Sequence, residues 1–329
     1  MQSGKLIAIA ALLCGFAQAA QAETLSLRYG AAPSEIKSIF VLPVLVAERE
    51  GFFAREGLNF ILMPIENMGG EKLMDELDAG NVDIGHIATA FLVQAVTKGA
   101  PAVAIAAEFN NPIYSLVARS DIQTYADLKG KLLGMAAETG TITISMRKLM
   151  AMHGIKPEDI NVKVIEGTPT RYDCLIHGGC DAVPLGQPQD FFALRRGYRL
   201  LGLSTEAVPD FVYTVTAARR DWAEKNKETV IRYVRALGDA FKFIRDPAKR
   251  EDVVRTIVDT TGSSEDSARA TLALYFEPER HVLPQAGEID LKGMAQVIGF
   301  MGEAGIVKAP LPSPERFVDL QYLKAAGAQ

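Results

Sequence analysis

The residue types that carry enzyme chemistry are present in this chain but scattered. Four histidines, His86, His153, His177 and His281, lie far apart, with no H-E-x-x-H to put two imidazoles on one metal. No G-x-S-x-G turn presents a serine nucleophile. No G-x-x-x-x-G-K-[ST] loop is available for a triphosphate, and no G-x-G-x-x-G follows a strand pattern, so neither an ATPase nor a dinucleotide site is expected. These absences favour binding over catalysis. No catalytic residue, metal site or cofactor is expected.

The polar chemistry that does recur sits in short loops. Residues 34–38, Gly69-Gly70, residues 86–89 and Thr139-Gly140-Thr141 each stand between a strand pattern and a helix pattern. A helix start leaves backbone N–H groups unpaired and carries the positive end of the helix dipole, so several starts in one cleft can hold an anionic or polar solute. Any one loop reads equally as a local cap or turn. Their recurrence outside the carboxyl ends of strands is what points to a ligand. Arg171, just after residues 167–170, is either a cleft residue able to grip a carboxylate or sulfonate through two N–H groups or a surface arginine. Arg195, Arg196 and Arg199 read as a solvated helix face, and Phe191 and Phe192 as core.

Cys174 and Cys180 flank Gly178-Gly179, where a helix that stops and turns back would bring the sulfurs together. A disulfide and two buried thiols both fit that spacing. With only His177 beside them, they do not complete a tetrahedral zinc set.

The elements that must position these residues follow from period and punctuation. Strand patterns at 25–29, 60–64, 82–85 and 102–107 alternate with helix patterns at 39–49, 71–77 and 89–97. The alternation restarts with strands at 115–118, 132–136, 161–165 and 182–185 and helices ending at Met152 and spanning 171–176. Helices then dominate, at 222–244, 251–260, 264–276 and 291–304. Two α/β lobes, each a mixed sheet flanked by helices, are expected.

Lys5 is the only charge before Glu23, residues 6–16 are apolar, and Ala20-Gln21-Ala22 supplies small residues where a signal peptidase reads them. Residues 1–22 are therefore expected to be a signal peptide cut after Ala22, with the mature chain exported to the periplasm. The apolar run is too short to span a bilayer. With 48% hydrophobic and 23% charged residues, the 329-residue chain has an ordinary globular composition. Its 40 acidic residues against 35 basic ones leave a net charge of −5, which builds no basic face for nucleic acid. Three cysteines make no disulfide scaffold.

Pro43-Val44-Leu45-Val46-Ala47-Glu48-Arg49-Glu50-Gly51-Phe52-Phe53-Ala54-Arg55-Glu56-Gly57-Leu58 resembles the signature of periplasmic solute-binding proteins of the nitrate/sulfonate/taurine ABC-transporter type. Residues 77–85, 98–101 and 127–131, Gly178-Gly179-Cys180-Asp181-Ala182 and residues 317–323 fall into register behind it. The resemblance spans essentially the whole mature chain. It implies a type II periplasmic-binding-protein fold. Lobe one would comprise residues 23–111 and 211–329, lobe two residues 112–210, and two crossover strands at 110–114 and 209–213 would join them. The solute contacts it implies are Ser38, Phe40, Gly69, Gly70, His86 and Thr89 in lobe one, and Thr139, Gly140, Thr141, Arg171 and Gln187 in lobe two.

His86 stands where a neutral or aromatic residue is more usual in that family, and Ala88 where a small polar pair often begins. The expected function is a monomeric receptor that binds a small polar or anionic organic solute (a sulfonate, carboxylate, nitrate-like ion or pyrimidine). It would deliver that solute to an ABC permease with its cytoplasmic ATPase. Two alternatives stand beside it. One is a synthase or binder of thiamine-pyrimidine precursors, whose enzyme members carry a cysteine-rich motif that this chain lacks. The other is a ligand-sensing subunit of a membrane signalling system.

Overall fold

The short apolar runs pair into two five-stranded sheets in a computed structural model that describes residues 24–66, 70–111, 113–208, 210–276 and 281–328. The expected signal peptide and Gly69 lie outside the described residues. The strands are β1 (Leu25–Ala31), β2 (Leu58–Pro64), β3 (Ile84–Ala88), β4 (Ala102–Phe109), β5 (Ser115–Ala118), β6 (Leu132–Met135), β7 (Asn161–Val164), β8 (Ala182–Leu185), β9 (Arg199–Leu203) and β10 (Thr214–Arg219). The helices of the first part are α1 (Pro33–Ile36), α2 (Leu42–Arg49), α3 (Phe52–Arg55), α4 (Gly70–Asp78), α5 (Thr89–Thr97), α6 (Thr141–Met152), α7 (Thr168–Ile176) and α8 (Gln189–Arg195). Beyond β10 come α9 (Arg220–Lys225), α10 (Lys227–Arg245), α11 (Arg250–Thr261), α12 (Glu265–Tyr275), α13 (Leu291–Glu303) and α14 (Gln321–Ala326).

The first sheet runs β2-β1-β3-β10-β4 and the second β7-β6-β8-β5-β9. In the first, β2, β1 and β3 are parallel while β10 runs against both its neighbours. In the second, β7, β6 and β8 are parallel and β5 runs against β8 and β9. Each sheet thus carries one reversed strand in fourth place, next to a crossing between the two halves. Thr214 pairs with both Ala88 and Phe109, so the strands that leave and re-enter the first half lie side by side. This is the mixed α/β fold with helix-flanked sheets that the sequence implies.

Close packing between sheet and helix depends on small residues. A Cβ on Gly85 of β3 would fall 2.5 Å from Leu73 Cδ1 of α4 and 3.0 Å from the Gly30 carbonyl of β1. All eight residues of β4 are buried, and its outer edge is met by the C-terminal segment. Val318 bridges Ala104 in parallel, and the Asp319 N–H donates to the Ala104 carbonyl at 2.9 Å. Such cover keeps a long apolar edge from templating another chain. In the second half α7 stops at His177, Gly178 turns left-handed at φ 73°, and Cys174 and Cys180 are joined by a disulfide with 5.3 Å between their Cα atoms. No described helix is long and apolar enough to cross a membrane.

Several expected elements differ in the structure. The helix expected at 39–49 is a 3-10 turn, Ile39–Val41, followed by α2, because Pro43 and the Ser38 cap set the helix start at Leu42. The helix expected at 222–244 is broken at Asn226, whose side-chain amide donates to the Trp222 carbonyl at 2.8 Å and ends α9. The strand expected at 82–85 is β3, shifted to Ile84–Ala88 because β10 extends its ladder to Ala88. β9 and β10 lie where no strand was expected. β10 is buried at five of its six positions, so it shows little polar alternation to read.

Candidate functional site

The first half contributes residues 34–40 to a cleft completed by Tyr114 and by residues 166–171 and 187–189 of the second, around a cavity of about 50 Å³. Ser38 caps the 3-10 turn, its Oγ accepting the Phe40 N–H at 3.1 Å and donating to the Glu35 carbonyl at 2.9 Å. The turn thereby aims Phe40 inward. Its ring stacks on Tyr114 at 5.2 Å and 15° and meets Tyr213 edge-on at 5.6 Å. Burial pushes both tyrosine hydroxyls up from their ordinary pKa, so they stay neutral and pair with each other at 3.0 Å. Across the cleft, a Cβ on Gly186 would sit 3.1 Å from the Phe40 ring and 3.4 Å from Tyr114. Gly186→Val is therefore expected to wedge the halves apart and weaken solute capture about tenfold or more in calorimetry. Wild-type affinity in that variant would show that this contact is not part of closure.

Two helix starts approach each other beside this cavity. Ala88 and Gly140 are the N-caps of α5 and α6 and make no side-chain cap. A Cβ on Gly140 would lie 3.5 Å from the Phe91 ring of α5 and 3.2 Å from the Ala137 carbonyl. The first residues of these helices, Thr89 and Thr141, are at most 1% exposed, and the Oγ1 of each is buried with no hydrogen-bond partner. So are Thr214 Oγ1 at the start of β10 and Gln187 Oε1 in the cavity wall. The Gln187 amide is oriented by Asp190, whose Oδ2 accepts from its Nε2 and from Ser115 Oγ, each at 2.9 Å. An unsatisfied buried polar group costs about 1–3 kcal/mol, so these four atoms, one in the cavity wall and three at neighbouring helix and strand starts, are candidates to bond a solute. Thr139 is half-buried in the loop ahead of α6, and Gly70 begins α4.

His86 is not a loop residue. It lies inside β3, 3% exposed, with Nδ1 2.5 Å from Glu108 Oε2 of β4. Glu108 is wholly buried and also accepts from the Tyr29 hydroxyl at 2.7 Å and Thr216 Oγ1 at 2.6 Å. Burial alone would lower the His86 pKa, but Glu108, helped by Glu35 4.0 Å from Nε2, outweighs it and raises it. Burial and the same carboxylate push Tyr29 far up. His86 thus reaches the cleft only through Glu35.

Arg171 is 1% exposed in the first turn of α7, so it is not a surface arginine. Its Nε donates to the Pro184 carbonyl at 2.8 Å, Nη1 to the Ile165 carbonyl at 3.1 Å and Nη2 to Thr168 Oγ1 at 3.1 Å. Among the described residues no carboxylate pairs with it. Three of its five donors are thus held within the second half, one by β8, one by the turn after β7 and one by α7 itself, while the residue also lines the cavity. Sequence reasoning did not single out Glu35, Glu108, Tyr114, Gly186, Tyr213 or Thr214. Glu108 alone carried a visible signal, as the one charge in an apolar strand.

The chain is 25% identical over 232 residues to YtlA of Bacillus subtilis, named as a binding protein, covering 68% of this chain and 69% of that one. It is 25% identical over 139 residues to 4-amino-5-hydroxymethyl-2-methylpyrimidine phosphate synthase of Uromyces fabae, covering 39% and 40% of the two chains. The fold superposes with a TM-score of 0.74 on the periplasmic nitrate-binding protein NrtA of Synechocystis PCC 6803, at 15% identity, covering 93% of this chain and 89% of that one. The profile of NMT1/THI5-like proteins matches residues 39–249, well over half the chain, and the protein therefore belongs to the NMT1/THI5-like family.

Proposed function

We propose that this chain is an exported solute receptor of an ABC importer, with residues 23–111 and 211–329 as one lobe and 112–210 as the other. A small polar or anionic organic solute is captured between them and passed to a permease. The observation that carries this reading is the set of buried, unpartnered atoms supplied by both halves: Thr89 Oγ1 and Thr214 Oγ1 from the first, Thr141 Oγ1 and Gln187 Oε1 from the second. A ligand that contacts both halves binds the closed arrangement better than the open one and so shifts the population toward it. Similarity to YtlA and the fold of NrtA support a binding role. The similarity to the pyrimidine synthase covers only the smaller part of each chain.

In this reading Ser38 and Phe40 shape the first wall, Thr139, Gly140 and Thr141 the helix start opposite, and Gln187 the far wall. Gly70 and, outside the described residues, Gly69 are proposed as further solute contacts, and His86 acts through Glu35. Expressed in a Gram-negative host, the full chain should appear in the periplasm beginning at Glu23. That mature protein is then screened by thermal shift against nitrate, ethanesulfonate, benzoate and a 4-aminopyrimidine. A ligand that binds only the folded state raises the melting temperature, and a rise of several degrees with one class is expected. Retention in the cytoplasm with no shift from any class would overturn the reading, and conversion of the pyrimidine to product would replace it with an enzyme.

A further inference from the structure

α13 lies across the join between the two halves. It packs on α5 of the first half, and its first turn presses on the segment that returns from the second. A Cβ on Gly293 would fall 3.0 Å from the Phe211 carbonyl carbon and 3.2 Å from its oxygen, so a side chain there would need the Phe211 backbone to give by a few tenths of an ångström. Near its other end Phe300 stacks on Phe211, with ring centroids 6.1 Å apart at 25°. Phe300 also meets the second half. Lys148 Nζ of α6 lies 4.0 Å from its ring centroid and 3.4 Å from Glu303 Oε2. One aromatic side chain therefore touches the crossing segment and the far half together.

The position of Lys148 within α6 gives this contact leverage. Thr141, with its unpartnered hydroxyl, opens the same helix, and Lys148 follows about two turns later, some 10 Å along the axis. A helix moves as a rigid unit, so a rotation of the second half that withdraws Thr141 from the cleft carries Lys148 with it and loads its contact with Phe300. The ion pair with Glu303 is largely exposed and weak by itself. The ring contact is better placed, because Phe211 holds Phe300 from the crossing segment. Arg195 to Ser267, at 3.2 Å, is another polar contact between the halves, but its partner is a neutral hydroxyl.

We propose that Lys148 is a positioning residue for solute capture: its contact with Phe300 and Glu303 holds the halves closed and sets solute affinity from outside the cleft. This rests on the receptor reading above. The test uses the mature chain carrying a donor and an acceptor fluorophore at Lys163→Cys and Glu224→Cys, one on each half. Single-molecule energy transfer then gives the ratio of open to closed molecules, first without additive and then with nitrate or ethanesulfonate. Lys148→Ala should raise the open-to-closed ratio about two- to fivefold, the worth of one exposed cation–ring contact. Lys148→Arg, which keeps a cation over the ring, should restore the ratio, and the melting temperature of all three proteins should agree. For a compound that binds, Lys148→Ala should speed dissociation and leave association unchanged. An unchanged ratio, or one that Lys148→Arg does not restore, overturns the proposal. A shifted ratio in a protein that no tested compound closes would sustain the clamp and count against the receptor reading alone.

Discussion

Replacing His86 by alanine is expected to destabilise the folded protein by about 3–5 kcal/mol, because it removes the partner of a fully buried carboxylate. Glu108 would keep the Tyr29 and Thr216 donors but lose its one counter-charge. Glu108→Gln should cost less, since a neutral amide can stay buried on those same hydroxyls and His86 can then discard its proton. The pair also predicts a pH dependence. The folded-state pKa of His86 is raised above its ordinary 6.5, so the folded protein holds that proton more tightly than the unfolded chain does. The resulting stabilisation is fully present below about pH 6.5, and it fades as pH rises through the raised value. Urea midpoints measured from pH 5 to 9 should therefore fall on the alkaline side in wild type, and by less in Glu108→Gln. Parallel profiles for the two proteins would show that the pair is not charged in the folded state.

Arg171→Ala is expected to cost about 2–5 kcal/mol in unfolding free energy, whatever the solute. It strands the Ile165 and Pro184 carbonyls, removes the bond to Thr168 Oγ1, and empties the volume of a fully buried side chain. Lysine should not rescue it, because one ammonium cannot reach three acceptors set out for a planar fork. The measurement is denaturant unfolding of empty protein beside solute titration. Wild-type stability together with lost affinity would return Arg171 to the solute and leave the α7–β8 fastening unimportant.

How legible the molecule was depended on whether one segment held the whole signal. Period and punctuation were enough for the strand–helix alternation, and Gly51, Gly80 and Gly99 marked turns that the structure places in left-handed conformations. Thr89 and Thr141 are legible from their type and their place at a helix start, whereas Gln187 is reached only through the family resemblance, and each carries a buried unpartnered atom. What could not be read was made by distant pairings. His86 looked like a loop residue because the strand that extends β3 past it, β10, lies more than a hundred residues away. The structural bonds of Arg171 are equally hidden in its own segment, because the carbonyls that accept from it belong to β8 and to the turn after β7. Gly186 acquires its role only when Phe40 arrives from the other half.

The strand order also fixes a sequence of events during synthesis. Every strand of the second sheet lies between Ser115 and Leu203, whereas the first sheet needs β10, which ends at Arg219. Without β10, β3 and β4 are not neighbours, and each exposes an edge toward the gap. A chain emerging from its N-terminus therefore holds all the strands of its inserted half before its first half can close, although the first half was made earlier. A chain whose residue 203 has emerged from the ribosome while residues 214–219 have not would hold a complete second sheet suspended from an open first one, with two buried-type strands bare to any neighbouring chain.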